Sequence, residues 1–257
     1  MTLQLLETPA RQGSSLEETD HRPWPLPEGR PWIMAQTLDD LLFAHWRVSA
    51  DAVRALLPAG LDVDERDGSA WLGVTPFVVT GLRAHGLLPI PRASSFRELN
   101  VRTYVIRDGR PGIWFFSLDA SSHLAVAAAR LLYRLPYFHA DVLFRRHGAR
   151  ILFDSARDEG TAFSVSYEAK GSAAPPAPGS LEEFLTERYC LYVEHDGRLY
   201  RAEIHHRPWP LQPVDADIQL NTMLPASLLL EGDPLFHYSA RQDVVIWALL
   251  DVSEADA

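Results

Sequence analysis

Glu98, Asn100 and Arg102 occupy alternate positions in FRELNVRTYV (96–105). In an extended chain alternate side chains share a face, so a carboxylate, an amide and a guanidinium form one row ending at Tyr104. Leu99, Val101, Thr103 and Val105 take the opposite face. A second extended run, IWFFSLDA (113–120), follows the turn-forming Asp108-Gly109-Arg110-Pro111-Gly112, where Gly and Pro supply the special backbone angles. An even-length loop sets Arg102 opposite Ser117 and Asn100 opposite Asp119; an odd one pairs Arg102 with a bulky apolar residue. The even loop is the expectation. It builds one polar patch of Glu98, Asn100, Arg102, Ser117 and Asp119, backed by Trp114, Phe116 and Leu118. Two readings stand side by side: the solvated face of a half-buried sheet, or the wall of a cleft, which Tyr104 and Phe115 on that face would suit. In a cleft, Glu98 and Asp119 could act as an acid/base pair, whereas Arg102 close by would hold Glu98 ionised in a structural pair. The structural pair is the stronger expectation.

Other chemistries lack their residues. There is no Gly-rich phosphate loop, no nucleophile elbow, no His-Glu-x-x-His and no paired cysteines. Ten histidines are scattered, with only His205 and His206 adjacent, and neighbours on a strand point apart. No metal site and no cofactor are expected. Cys190, the single cysteine, lies among aromatics and reads as a small buried apolar residue.

The elements that must position the row fill a chain of 257 residues, long enough to bury on the order of three quarters of its unfolded surface. A formal charge of −10 argues against nucleic acid or an anionic membrane as partner. Without a signal-like segment, a membrane-length apolar run or a second cysteine, the expectation is a soluble cytoplasmic protein. Exposed apolar edges point to a homo-oligomer. Residues 1–20 read as a flexible arm and 21–257 as one domain. The hexapeptide HRPWPL occurs at 21–26 and again at 206–211; its prolines enforce an extended rod that should pin each Trp in a structural corner. Between the rods, strands are expected near 41–48, 142–146, 150–154, 161–169 and 236–250. Hairpins should turn at Asp67-Gly68 and Asp196-Gly197, and short helices should follow Ser49 and Ser180. A longer helix carries the stripe Leu124, Ala128, Leu131, Leu135 toward the sheet and stops at Pro136. Residues 80–95 read as a long loop over the patch.

FRELNVRTYV (96–105), FFSLDAS (115–121), LTERY (185–189) and HRPWPL (206–211) resemble the uncharacterised YqjF-like family over roughly residues 21 to 252. That family is similar, more remotely, to acetoacetate decarboxylase. The remoter likeness is carried by Ala52–Pro58 with Gly60-Leu61, and by Arg130–Phe138, which resembles a decarboxylase helix ending in Arg…Pro-Lys-Lys. The resemblance implies an α+β, mainly antiparallel, cone-shaped β-barrel with a few inserted helices and an enclosed pocket, in which Glu98 matches a pocket glutamate. It also marks a departure. The two lysines, one of them imine-forming, fall on Tyr137 and Phe138, and neither can form a Schiff base. Lys170, the sole lysine, sits beside a Pro/Gly loop and is expected in solvent. A pocket of Glu98, Asn100, Arg102, Ser117, Asp119, Arg130 and Tyr137 would then bind a small polar or carboxylate-bearing molecule. An enzyme using Glu98 or Asp119 with Tyr137, and a structural protein with a buried polar network, remain as alternatives.

Overall fold

The computed structural model describes residues 2–90 and 93–253. In chain order its helices are α1 (Thr2–Ser14), α2 (Ala50–Arg54), α3 (His123–Tyr133) and α4 (Leu181–Thr186). The strands begin with β1 (Met34–Val48), β2 (Asp62–Val63), β3 (Ala70–Ala84), β4 (Phe96–Arg107), β5 (Arg110–Ala120), β6 (Tyr137–His139) and β7 (Asp141–His147). They continue with β8 (Arg150–Ala156), β9 (Ala162–Ala169), β10 (Cys190–His195), β11 (Arg198–His205), β12 (Val214–Asn221), β13 (Glu231–Ile246) and β14 (Leu250–Asp251).

Two sheets result, both mainly antiparallel. The larger runs β2-β4-β3-β1-β13-β11-β10-β5-β6, and β5 also pairs with β4. The smaller is β12-β9-β8-β7. The Asp-Gly pairs at 67–68, 108–109 and 196–197 all take positive φ on both residues, the geometry a two-residue hairpin turn requires. Only the first departs from expectation: its upstream strand, β2, pairs with β4 instead of β3.

Alternation sorts the apolar side chains. Leu42, Ala44, Leu72, Val74, Leu99 and Val101 of the large sheet pack on Ile151, Phe153, Phe163, Val165 and Tyr167 of the small one. The opposite face of the large sheet holds a second cluster, including Phe43, Phe77, Phe115, Leu191, Ile204 and Val244. Both faces of the large sheet are thus covered, which explains why its strands read as long apolar runs.

Three expectations change. The expected loose arm, of which residue 1 lies outside the described residues, is ordered over 2–20: α1 is helical, Arg11 Nε bonds Asp243 Oδ2 at 2.7 Å, and Gln12 Oε1 accepts from Arg83 Nε at 2.7 Å. Side chains expected in water instead complete polar groups on the sheet. The long loop is shorter than read, because β3 continues to Ala84; positions 91 and 92 of it lie outside the described residues. Helix α3 keeps only half of the expected stripe inside: Ala128 and Leu135 line the inner cavity, the other two members do not. Leu124 and Leu131 are exposed at 67% and 80%, while Val126 and Tyr133 are buried. Its inner face is the alanine-rich one, which leaves room beneath the helix.

Candidate functional site

Beneath α3, on the inner side of the large sheet, lies a cavity of about 150 Å³. Its wall is mostly apolar, with Phe77, Phe115, Leu191, Ile204, Val244 and Ile246 among its residues, and Glu98, Asn100 and Arg102 project into it from β4. All three are buried, 3–7% exposed. The cleft reading of the row therefore holds, and the solvated-sheet reading does not.

The hairpin carries only half of the expected patch. Its loop is the two-residue Asp108-Gly109, so Arg102 faces Phe115, but a bulge then shifts the register and Val101 faces Ser117. Phe116 is the extra residue. A bulge flips every later side chain, so Leu118 enters the cavity while Ser117 and Asp119 turn to the far face. Asp119 there receives Arg157 Nε at 2.8 Å and Ser155 Oγ at 3.3 Å. Burial raises its carboxyl and the Arg157 contacts oppose that rise. Arg130 is also outside: it is exposed and its Nε donates to the Tyr137 carbonyl at 2.7 Å, clipping α3 to β6. Tyr137 does belong, its hydroxyl donating to Glu98 Oε2 at 3.1 Å.

No ion pair joins Glu98 to Arg102 among the described residues, so the structural pair is not formed. Burial pushes the Glu98 carboxyl up to about 8, against the opposing hydrogen bonds of Tyr137 and Asn100. At neutral pH the carboxyl is mostly protonated. The Tyr137 phenol is raised as well, first by burial and then by Glu98. Among the described residues no carboxylate pairs with Arg102. Its guanidinium lies 5.4 Å from the Phe43 ring centroid and 5.8 Å from that of Tyr104, and its Nε has no hydrogen-bond partner.

Six further polar residues line the cavity, Gln36, Tyr133, Thr186, Arg188, His206 and Trp209, none of them among the expected site residues. Arg188 bonds Asp64 and the Phe184 carbonyl, leaving Nη2 unpartnered. Tyr133 Oη and Trp209 Nε1 are likewise buried and unpartnered. His206 contacts the carbonyls of Arg207 at 2.7 Å and Arg188 at 3.3 Å, and burial lowers it to about 4, so it is neutral. The two HRPWPL rods thus have different fates. The Trp24 indole is satisfied by Glu203 at 2.7 Å, whereas Trp209 faces the cavity instead of a structural corner. Arg188 follows α4 and Trp209 lies in the second rod; the sequence signals at these places were the LTERY segment (185–189) and the recurrence of the hexapeptide. Lys170 is exposed, 2.5 Å from Glu168, and outside the cavity. Among the described residues no group of His, Cys, Asp or Glu could hold a metal ion, and no helix is long and apolar enough to cross a membrane.

An inner cavity of a mainly antiparallel sheet, covered by α3, is the arrangement of an acetoacetate-decarboxylase-like fold, and solved structures share that fold. The enduracididine biosynthesis enzyme MppR, complexed with pyruvate, superposes with a TM-score of 0.66 over 92% of this chain and 95% of its own at 14% identity. An acetoacetate decarboxylase-like enzyme from Sphingomonas wittichii RW1 gives 0.61 over 87% and 94% at 15% identity. The chain belongs to the DUF2071 family, described as an uncharacterized conserved protein, whose profile matches residues 35–243. It is 46% identical over 222 residues to the uncharacterized protein YqjF of Bacillus subtilis (strain 168), covering 85% of this chain and 92% of that one.

Proposed function

We propose that the β4-β3-β1-β13-β11-β10-β5 circuit acts as a barrel whose cavity binds a small, largely apolar molecule bearing one carboxylate. The observation that carries this reading is Arg102: a buried cation in an apolar cavity, with no carboxylate of its own and an unpartnered Nε. Leaving a buried charge unpaired is costly, and a ligand carboxylate would supply both the charge and the hydrogen bond. Protonated Glu98 does not compete for Arg102, and Trp209 and Arg188 offer further donors. The pyruvate named with MppR is of the same chemical kind.

Lys170, the chain's one lysine, lies outside the cavity, so a lysine Schiff base is not part of this reading. A second reading is an enzyme that moves a proton between Glu98 and its ligand, favoured by a carboxyl near 8 hydrogen-bonded to Tyr137. Asp119 has no share in it, since it faces away. A thermal-shift screen of small carboxylates against their amides tests the proposal. Carboxylates should stabilise the protein, amides should not, and Arg102→Gln should abolish the difference. Equal stabilisation by acid and amide would refute it. Product formed by the native protein and lost in Glu98→Gln would select the enzyme reading.

A further inference from the structure

A second cavity, of about 310 Å³, lies between the first HRPWPL rod and β11, on Pro25–Glu28, Arg30, Arg110, Arg201, Glu203 and the chain near Ala248 and Leu250. It shares no lining residue with the first and stands independently of the function proposed there. Its centre is Glu203, on which cations crowd: Arg22 Nη2 at 3.4 Å, Arg110 Nη1 at 3.2 Å and Arg201 Nε at 3.1 Å. The Trp24 indole adds a hydrogen bond at 2.7 Å. These four donor groups compete for the two oxygens of one carboxylate, which offer about four lone-pair sites. Arg201, its side chain 9% exposed, brings Nε within 3.1 Å of Glu203 without the alignment of a hydrogen bond, and that Nε has no other partner. Arg30 reaches the same cavity and donates only to the Ala248 carbonyl, at 3.0 Å. The remaining lining carboxylate is Glu28, which is exposed, and nearby Asp251 is held by Arg198 at 2.5 Å.

Four guanidiniums against two carboxylates leave an excess of two positive charges in a chain whose net charge is −10. Such a local excess needs a reason. The geometry points to an anion site for a dianionic phosphate group, free or as a monoester, clamped by Arg110, Arg201 and Arg30. Guanidinium forks match phosphate oxygens, two negative charges balance the excess, and Leu26, Ala248 and Leu250 offer an apolar wall to an ester's organic part.

The test is titration of the full-length protein with inorganic phosphate and with phenyl phosphate, followed by 31P NMR at low ionic strength. Saturable binding is expected, weakened about tenfold or more in Arg110→Gln and in Arg30→Gln and unchanged in Arg102→Gln, which alters the other cavity. Both substituted arginines are part-exposed, so the variants should fold; the melting transition of each verifies this. Tighter binding of the phenyl ester would assign a phosphomonoester, and tighter binding of inorganic phosphate the free ion. Absence of saturable binding, or equal affinity in native protein and Arg110→Gln, would overturn the site.

Discussion

Replacing Glu98 with glutamine should make the protein more stable, by an amount that grows with pH. The buried carboxyl titrates at about 8 in place of its ordinary 4.5, so between those values the folded state holds a proton that the unfolded chain has released. A group raised in this way contributes fully below 4.5 and loses its contribution as pH climbs toward 8. Stability should fall by about 1.4 kcal/mol per pH unit across that window, up to roughly 5 kcal/mol in all. Glutamine keeps the shape and hydrogen bonding of the protonated acid but cannot ionise. Urea unfolding of native protein and Glu98→Gln at intervals from pH 5 to pH 8 reads the effect directly. The two free energies should be close at pH 5 and separate by several kcal/mol at pH 8. Parallel curves, or a side-chain carboxyl that titrates near 4.5 by 13C NMR, would show that Glu98 is solvated or paired and would refute its neutral state.

Asp119→Asn should destabilise by about 3–5 kcal/mol, because it leaves the buried Arg157 guanidinium without its carboxylate; ligand affinity, measured by calorimetry, should be unaffected. Deleting residues 1–20 should cost about 2–4 kcal/mol in chemical denaturation by stripping Arg11 and Gln12 from Asp243 and Arg83; a change under about 0.5 kcal/mol would restore the loose-arm picture. Borohydride reduction in the presence of acetoacetate should give no covalent adduct by intact-mass analysis, since Lys170 lies outside the cavity.

Local signals located most of the architecture. The three Asp-Gly turns, the caps Ser49 and Ser180, and the alternation along β4, β8 and β9 were all legible because each depends on a few adjacent residues. Long-range pairing was not. Nothing near β5 says that it lies parallel to β10, and that pairing helps bring Arg188 and Trp209 opposite Arg102. The patch failed at one residue. Phe116 is apolar like its neighbour Phe115, so the doublet reads as ordinary strand, yet the bulge there sends Ser117 and Asp119 to the other side of the sheet. Helix α3 misled for a related reason. Its leucine stripe satisfies helical periodicity, but the alanines and Tyr133 face inward over the cavity, and periodicity alone does not show which stripe a cavity selects. Glu98 and Tyr137, both named through the resemblance, are in contact, and the loss of both lysines at positions 137 and 138 was visible in the sequence itself.

The most direct measurement is a crystal structure of the protein soaked with the best carboxylate from the thermal-shift screen. Its carboxylate should lie within hydrogen-bond distance of Arg102 Nε, with its apolar body against Phe77 and Phe115. A carboxylate bound elsewhere, with Arg102 still unpartnered, would contradict the assignment of this cavity as a carboxylate site.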